Sequence, residues 1–488
     1  MYELIIPTEV MFSEIKANNS LSPSNYKKLT IKNKNTHKVS YYLDKENPYL
    51  KGIEPGRSAY VPTSTQKFMR NSCINNIQFS ADKSKFIHLN PKYYDESMVS
   101  DGDVLFCTDA NIGDCCLFIS DGEKVSFSSG IVKLNFKEER LKYYAMAFIS
   151  DDYFREQLNV KTPRGATIRH SGDLFLECEI PAAPNIWVYS LIESLVKNIA
   201  YSEYIANMKL RESEQLIHSE LMVTNFTYIN PSIKQLQQRA RLDSGIYSDI
   251  VFQWRENVLN YVRGYSTLGE YGFELKRGPN LAKRDLGRSI QTESYRKNYN
   301  VLIYPSDISS SGYIQKVSYL GAKNPIWYLG NRDILFSAEG TVGKTFAVCD
   351  ETMHFTTNFH GTIIRPKTED VALNKSIFLA LYFNYLRYSG IFDRMAVGAN
   401  GGSFAVGYWD NILIPNVDIN FMSTLSIIYN HKVNLVPSTF NLTLIKGAGL
   451  YQINSFLIKC KALLRQICND IKNDVLQEEQ YYRHFVAE

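Results

Sequence analysis

The chain has 488 residues, which is enough for two to four domains that each bury a core. Its 54 Lys and Arg residues against 50 Asp and Glu residues give a formal charge of +4. This balance permits nucleic-acid binding but excludes the strongly basic composition of a histone-like protein, so any DNA-binding charge must be local.

Cysteine usage and the N-terminal segment narrow the class of protein further. The 8 cysteines never form a C-x-x-C pair, and no Cys/His group has the spacing of zinc ligands. We therefore expect reduced, structural cysteines and no metal or other cofactor. Met1–Pro7 carries an acidic residue in a short apolar run, unlike a signal peptide. No stretch reaches the roughly 18 apolar residues of a membrane span, so we expect a cytoplasmic protein.

The first predicted domain covers residues 1–182. Short apolar runs such as Val104–Phe106 and Cys116–Ile119, separated by Asp-Gly and Ser-Gly turns, are typical of strands. Helical spacing follows over Leu141–Leu158. The polar loop Lys161–His170 then leads to a closing strand.

A long helix is predicted for residues 183–222. From Asn185 to Met222 the apolar residues recur at helical spacing without Gly or Pro, which corresponds to roughly 55 Å of helix. A helix of that length needs a partner along its apolar face. The apolar stripe Ile453–Val475 near the C-terminus is the best candidate, packed antiparallel.

The second predicted domain covers residues 223–416, and residues 417–488 form a connector and the C-terminal helix. Within the domain, strand patterns precede a helix at Ile377–Leu386 and the glycine-rich loop Val397–Phe404. A short helix is predicted at Ile419–Tyr429, and Pro437 and Gly447–Gly449 separate it from the final helix.

The two domains repeat one pattern. Asp103–Phe106 followed by Gly113 returns as Asp333–Phe336 followed by Gly343, with the same offset of 230 residues at both landmarks. Each copy ends in an apolar strand closed by proline, at Pro181 and at Pro415. We therefore expect an α+β fold in which two strand-rich α/β domains are separated by long helices that form an antiparallel coiled coil.

Three motifs of catalytic type are weaker than they look. Ala338–Thr345 approaches a Walker A pattern, but a strand pattern follows it instead of a helix, and Asp114 replaces its lysine in the first copy. Glu274–Lys276 matches a nuclease triplet that Glu14–Lys16 matches equally well. The Asn-Pro turns at Asn90 and Asn324 lack the second proline of an adenine methyltransferase motif. The sequence predicts a tight hairpin at the first site and no catalytic residues.

The repeated motifs resemble the specificity (S) subunits of Type I restriction-modification systems. The resemblance rests on Gly102–Phe106 with Gly113, on Arg332–Phe336 with Gly343, and on Tyr304–Ile308 followed by Gly312–Ile314. It implies a non-catalytic subunit with two target recognition domains, each reading half of a split DNA target in phage defence. The implied partners are double-stranded DNA, two methyltransferase subunits and the restriction/translocase subunits.

One departure from the family concerns the first domain. Asp103 lies 50 residues after Ile53, whereas Asp333 lies 25 after Ile308. We expect an insertion near residues 60–95 to account for this difference.

The candidate DNA-binding residues are basic or polar side chains in loops, because guanine is read by Arg or Lys and adenine by Asn or Gln. In the first domain they are Lys161, Arg164, Thr167, Arg169 and His170. In the second they are Lys276, Arg277, Lys283, Arg284, Arg387, Arg394, Asn400 and Ser403. For the basic cluster at residues 276–288, a solvated charged face is an equal alternative.

Two other functions remain open at this stage. A nuclease or modification enzyme of another defence system could carry the same recognition domains, and a structural adaptor could use them to bind protein. The enzyme predicts metal- or cofactor-dependent turnover, and the adaptor predicts no salt-dependent DNA affinity.

Overall fold

The computed structural model describes residues 2–19, 21, 23–94, 96–162, 169–222, 226–228, 230–239, 242–310, 312–398 and 402–485. These residues form two compact units. The first unit contains the chain up to Tyr204, Val436–Leu442 and the segment that begins at Cys460. The second contains Ile205–Leu435 and Thr443–Lys459.

The strands are short and occur in both units. In the first unit they are β1 Glu3–Ile5, β2 Lys28–Thr30, β3 Thr36–Lys38, β4 Tyr49–Lys51, β5 Tyr60–Val61, β6 Gln66–Met69, β7 Ile87–Leu89, β8 Val104–Cys107, β9 Cys115–Leu117, β10 Lys124–Phe127, β11 Ile131–Leu134 and β12 Glu179–Pro181. In the second they are β13 Tyr265–Ser266, β14 Phe273–Arg277, β15 Ser289–Thr292, β16 Asn300–Leu302, β17 Ser318–Ala322, β18 Ile334–Ser337, β19 Thr345–Ala347, β20 Phe355–Thr356, β21 Gly361–Pro366 and β22 Ile414–Pro415.

Helices connect and flank the strands. They are α1 Phe12–Asn18, α2 Glu139–Ile149, α3 Asp152–Lys161, α4 Ile186–Leu221, α5 Ile233–Arg239, α6 Asp249–Leu259, α7 Lys283–Leu286, α8 Leu373–Tyr388, α9 Ile391–Met395, α10 Ile419–Asn430, α11 Leu442–Gly447, α12 Leu450–Asn473 and α13 Glu479–Arg483. The predicted α+β class and the long helix after the first domain are confirmed.

The main sheets of the two units have the same strand order and the same strand pairing. The strand order is β4-β11-β8-β9 in the first unit and β14-β21-β18-β19 in the second, with antiparallel neighbours. Leu105 pairs with Cys116, and Leu335 pairs with Phe346 in the same register. The offset of 230 residues therefore holds across these strand pairs, and the repeat seen in the sequence is a structural repeat.

A second sheet also recurs and corrects one expectation. β10 runs parallel to β6, and β20 runs parallel to β16. These registers place Lys67 opposite Val125 and Val301 opposite Phe355, so Lys67 and Val301 are equivalent. Ile74 lies as far after Lys67 as Ile308 lies after Val301. The counterpart of Ile308 in the first unit is therefore Ile74 and not Ile53. The expected insertion near residues 60–95 was therefore wrong; it arose from matching the wrong isoleucine.

The helix predicted at Leu141–Leu158 is two helices. α2 ends at Ile149 and α3 begins at Asp152. Between them the side chain of Asp151 accepts a hydrogen bond from the Tyr153 amide at 2.9 Å, which is an N-cap. An N-cap inside a continuous apolar pattern starts a new helix, and periodicity alone does not reveal it.

Matching aromatic clusters fix the helices on the main sheets. Phe106 on β8 packs its ring against Phe154 and Phe175, at centroid distances of 6.2 and 4.8 Å. Phe336, its equivalent on β18, packs against Phe392 and Trp409 at 5.4 and 4.8 Å. These clusters hold the helices that border the two predicted recognition loops.

The hairpin that joins β18 to the edge strand β19, like its equivalent between β8 and β9, explains the motif that resembles Walker A. Asp103 accepts a hydrogen bond from the Ser100 amide at 2.8 Å, and Asp333 accepts one from Gly330 at 2.9 Å. The glycine of each following turn has a positive φ, +90° at Gly113 and +92° at Gly343. Because Thr345 begins a strand, no helix N-terminus is present to hold phosphate, and the predicted hairpin is confirmed.

These two glycines provide a matched test of packing. A Cβ at Gly343 would lie 2.5 Å from Phe392, which is buried, whereas a Cβ at Gly113 would lie 3.5 Å from Leu158. Both alanine variants meet the unfavourable φ, at a cost of about 1–2 kcal/mol, but only Gly343→Ala adds an overpacking cost of about 1–3 kcal/mol. Urea unfolding should therefore show Gly343→Ala as the less stable variant; equal losses would contradict this packing.

The chain after Pro415 contains several helices where a single long helix follows Pro181. α4 has 36 residues, and α10 and α12 have 12 and 24. The interruption lies where Pro437 and the Gly447–Gly449 segment predicted it. Part of the intervening segment belongs to the first unit, where the side-chain amide of Asn198 donates to the carbonyls of Pro437 and Thr439 at 2.9 and 3.2 Å.

Within the first unit, α4 runs antiparallel to the C-terminal segment. The rings of Trp187 and Tyr482 are 5.7 Å apart near the start of α4. Further along α4, Glu203 forms an ion pair with Lys461 at 2.9 Å. Later residues of α4 thus contact earlier residues of the C-terminal segment, which is the antiparallel arrangement that the sequence predicted.

The eight cysteines are free, as predicted from their spacing, and the structure shows that all eight are buried. Burial raises the pKa of the Cys115 thiol to about 12, so this group is protonated at neutral pH. None of the helices in the described ranges has the length and apolar character needed to cross a membrane.

Candidate nucleic-acid interface

In the second unit, one end of the main sheet collects segments that are distant in sequence. Arg277 ends β14 opposite Thr362, and Gly361 pairs with Ser337 at the end of β18. Beyond that end, Glu339 forms a β-bridge with Ser403. The basic strand β14 and the distal part of the glycine-rich loop are therefore attached to the same end of one sheet. We call it the sheet end, and use the same term for its equivalent in the first unit.

A glycine allows two backbone segments to approach at each sheet end. A Cβ at Gly278 would lie 2.0 Å from the carbonyl oxygen of Asn358, and a Cβ at Gly52 would lie 2.2 Å from that of Ser128. The amide of Gly278 donates to Gly361 at 2.9 Å, and that of Gly52 donates to Ile131 at 3.1 Å. Neither glycine was singled out from the sequence, because its role depends on a strand neighbour more than 70 positions away.

The two predicted loops are anchored at equivalent places. In the first unit the Ala110 amide donates to the carbonyl of Arg169 at 3.1 Å, and Asp109 bridges His170. In the second unit the Gly340 amide donates to the carbonyl of Gly402 at 3.2 Å. His170 and Ser403 therefore occupy the same structural position with different side chains.

A carboxylate paired with a histidine lies at each sheet end. Nδ1 of His170 is 2.9 Å from Oδ1 of Asp109, and Nδ1 of His360 is 3.0 Å from Oε2 of Glu339. Asp109 and Glu339 are equivalent under the offset of 230 residues. The histidines come from different segments, so the arrangement is reached in two ways. Sequence reasoning identified only His170 of these four residues.

The candidates in the first unit differ in exposure. Lys161 ends α3 and is exposed, and His170 has a side chain that is 62% exposed. Arg169 is partly buried and donates from Nη1 to the side-chain oxygen of Asn159 at 2.9 Å. Arg164 and Thr167 lie outside the described residues.

The basic cluster of the second unit is solvent-accessible. Lys276, Arg277, Lys283 and Arg284 are all exposed. Lys276 pairs with Glu274 at 2.8 Å on the same strand, and the Arg284 side chain remains 80% exposed. β14 carries the first two cations and α7 the next two, so the cluster occupies a strand and a short helix on either side of the Pro279 loop.

The remaining candidates surround the glycine-rich loop. Arg394 on α9 and Ser403 are exposed, while Asn400 lies outside the described residues. Arg387 is only partly exposed and donates from Nη2 to the Ser310 carbonyl. Burial lowers the pKa of Arg387, and the nearby carboxylate of Glu214 opposes that shift. Arg387 thus has bonding partners within its own unit.

Glu214 makes the stability of the second unit depend on pH. Burial raises its pKa from 4.5 to about 7, against the opposing charges of Arg387 and Arg211. Because the folded state binds the proton more tightly than the unfolded state, the free energy of unfolding falls as pH rises from about 4.5 to 7. Glu214→Gln should remove this decline and be about 1–3 kcal/mol more stable than wild type at pH 8.

Urea unfolding between pH 4 and pH 8 measures this effect. Glu212→Gln is the control, because it changes an exposed carboxylate of the same helix. Its stability curve should stay parallel to that of wild type. A Glu214→Gln curve that also stays parallel would show that Glu214 does not titrate as described.

The side chains at the sheet ends are suited to ion pairing and hydrogen bonding. Within the described ranges, no group of three or more His, Cys, Asp or Glu residues could hold a metal ion. The groups present are exposed cations, carboxylate-histidine pairs and exposed backbone at loops. Such groups contact phosphates and base edges.

Comparison with known proteins gives matches among solved structures alone. No family model and no curated protein sequence matches the chain. The S subunit of a Type I restriction-modification system from M. genitalium aligns over 91% of this chain and 95% of its own, at 13% identity and a TM-score of 0.38. The HsdS subunit of Thermoanaerobacter tengcongensis aligns over 90% and 97%, at 13% identity and a TM-score of 0.28.

A third structure comes from work on the complex assembly and conformational transition of the type I R-M system. It aligns over 90% of this chain and 96% of its own. Its identity is 12% and its TM-score 0.27. The alignments span nearly the whole of each chain. Because all three TM-scores are below 0.5, the function of this chain is not inferred from them.

Proposed function

We propose that the chain is the DNA sequence-specificity subunit of a Type I restriction-modification complex and reads a bipartite DNA target. The observation that carries this proposal is the duplication in register with different side chains at the equivalent recognition positions. His170 corresponds to Ser403, and Gly130 corresponds to His360. Two similar frames with different exposed groups suit a target made of two different half-sites.

The exposed cations support nucleic acid as the partner. Phosphate contacts supply most of the affinity and fix the register, whereas base contacts select the sequence. Lys276, Arg277, Lys283 and Arg284 would contact phosphates, together with Lys161 in the first unit. Arg169, His170, Arg394 and Ser403 are the proposed contacts with base edges, and Arg164, Thr167, Asn400 and Arg387 remain candidates from the sequence.

We assign a separate role in DNA recognition to each predicted domain and to the helical segments. Residues 1–182 and 223–416 would be the two target recognition domains, and residues 183–222 and 417–488 would set the gap between the half-sites. The subunit would carry no catalytic residues itself. Once this subunit has bound its DNA target in the cytoplasm, two methyltransferase subunits and the restriction/translocase subunits would act on that DNA.

Selection from randomised DNA duplexes by the purified full-length chain tests this function. We expect the bound pool to converge on two short half-sites separated by a fixed gap, about one turn of duplex apart, with affinity that falls steeply with salt. Turnover of DNA with a metal ion or a cofactor would favour a modification enzyme. Absence of salt-dependent affinity would favour a protein-binding adaptor.

A further inference from the structure

We propose that Asp109 and Glu339 are specificity-determining residues, each accepting a hydrogen bond from the exocyclic amino group of a cytosine in its own half-site. This inference rests on the proposed function and adds to it the base that one position of each half-site would read. It starts from the carboxylate-histidine pairs of the two sheet ends.

The position of the carboxylate is the same in both units. Asp109 follows β8 and Glu339 follows β18, each as the residue that bridges the end of the predicted loop. The next residue has a positive φ in both units, +60° at Ala110 and +71° at Gly340. The backbone therefore presents the acidic side chain in the same way twice.

The histidine orients the carboxylate and leaves one oxygen available. An ionised carboxylate only accepts hydrogen bonds, so Nδ1 of His170 and of His360 must carry the proton that each pair shares. Among the described residues, the second carboxylate oxygen of Asp109 and that of Glu339 accept no hydrogen bond. The Asp109 side chain is 29% exposed and that of Glu339 is 60% exposed, so neither side chain is closed to a partner.

Charge decides which DNA group can bind there. A carboxylate close to DNA repels phosphate, so its favourable partner must be a donor on a base edge. In the major groove, cytosine presents its N4 amino group as a donor, without an acceptor of its own beside it. Adenine presents its N6 amino group next to the acceptor N7, which would repel the carboxylate. Cytosine N4 is therefore the partner that fits best.

Two single substitutions control for each other. Glu339→Gln and Asp109→Asn keep the size of the side chain and remove its charge. In the duplex selection, Glu339→Gln should reduce the preference for cytosine at one position of the second unit's half-site by roughly 5- to 150-fold and leave the other half-site unchanged. Asp109→Asn should do the reverse.

A third variant protects the test against a folding defect. His360→Ala leaves Glu339 in place but unanchored, and should weaken the same cytosine preference by a smaller factor. A purely structural tie would lower thermal stability without changing either motif. Unchanged motifs in variants that fold would overturn this inference alone. A wild-type chain that selects no motif would overturn the proposed function as well.

Discussion

Replacement of Lys461 by methionine is expected to lower the free energy of unfolding of the first unit by about 3–5 kcal/mol. Glu203 is completely buried and accepts hydrogen bonds from the amides of Phe79 and Ser80 at 2.8 and 3.1 Å. Lys461, 2.9 Å away, supplies the positive charge that balances this carboxylate. Without it, a buried carboxylate loses its counter-charge while its hydrogen bonds hold it in place.

Hydrogen exchange measured by mass spectrometry would localise the loss to peptides of the first unit. Lys38→Met is the matched control, because it breaks an ion pair with Glu177 in which both side chains are about half exposed. That variant should leave exchange unchanged. The double variant Glu203→Gln with Lys461→Met should recover most of the stability, since both charges are then gone. Equal effects of Lys461→Met and Lys38→Met would contradict this account of the buried pair.

Neutralising the basic cluster of the second unit is expected to have the largest effect on DNA affinity. The variant changes Lys276, Arg277, Lys283 and Arg284 to alanine together. If each cation neutralises one phosphate, the slope of log K against log salt becomes shallower by about 3.6, and affinity near 0.1 M salt falls by up to about three orders of magnitude. Fluorescence anisotropy with the selected duplex at several salt concentrations measures both quantities.

The control removes the same charge from elsewhere in the second unit. Lys234, Arg263, Lys432 and Lys446 are exposed and lie outside the basic cluster. Their joint replacement by alanine should leave the salt slope nearly unchanged. Equal slopes for the two quadruple variants would mean that overall charge, and not the surface near the sheet end, attracts DNA.

Much of the fold could be predicted because the sequence repeats the same pattern of strands and turns in two domains. The 230-residue offset identified by Gly113 and Gly343 is reproduced in the strand registers, and the limits of α4 and α10 lie within three residues of the predicted ones. Features without a local pattern could not be predicted. The N-cap at Asp151 divides an apolar pattern that looks continuous.

The candidate site was less predictable, because it combines residues that only strand pairing brings together. His360 and Glu339 come from turns on neighbouring strands, and no local pattern in the sequence indicates that the two turns meet. The repeat did contain a usable signal, since the offset of 230 aligns Asp109 with Glu339. A search for acidic residues shared by the two copies would have found them.

Adenine-methylation mapping of the host genome, with and without this gene, tests the central claim most directly. The proposed specificity subunit predicts that deletion abolishes methylation of one bipartite motif, made of two short half-sites around a fixed gap, and leaves other motifs intact. Restoring the gene should restore that motif. If every methylated motif persists after deletion, the chain does not direct a methyltransferase, and the proposed function is wrong.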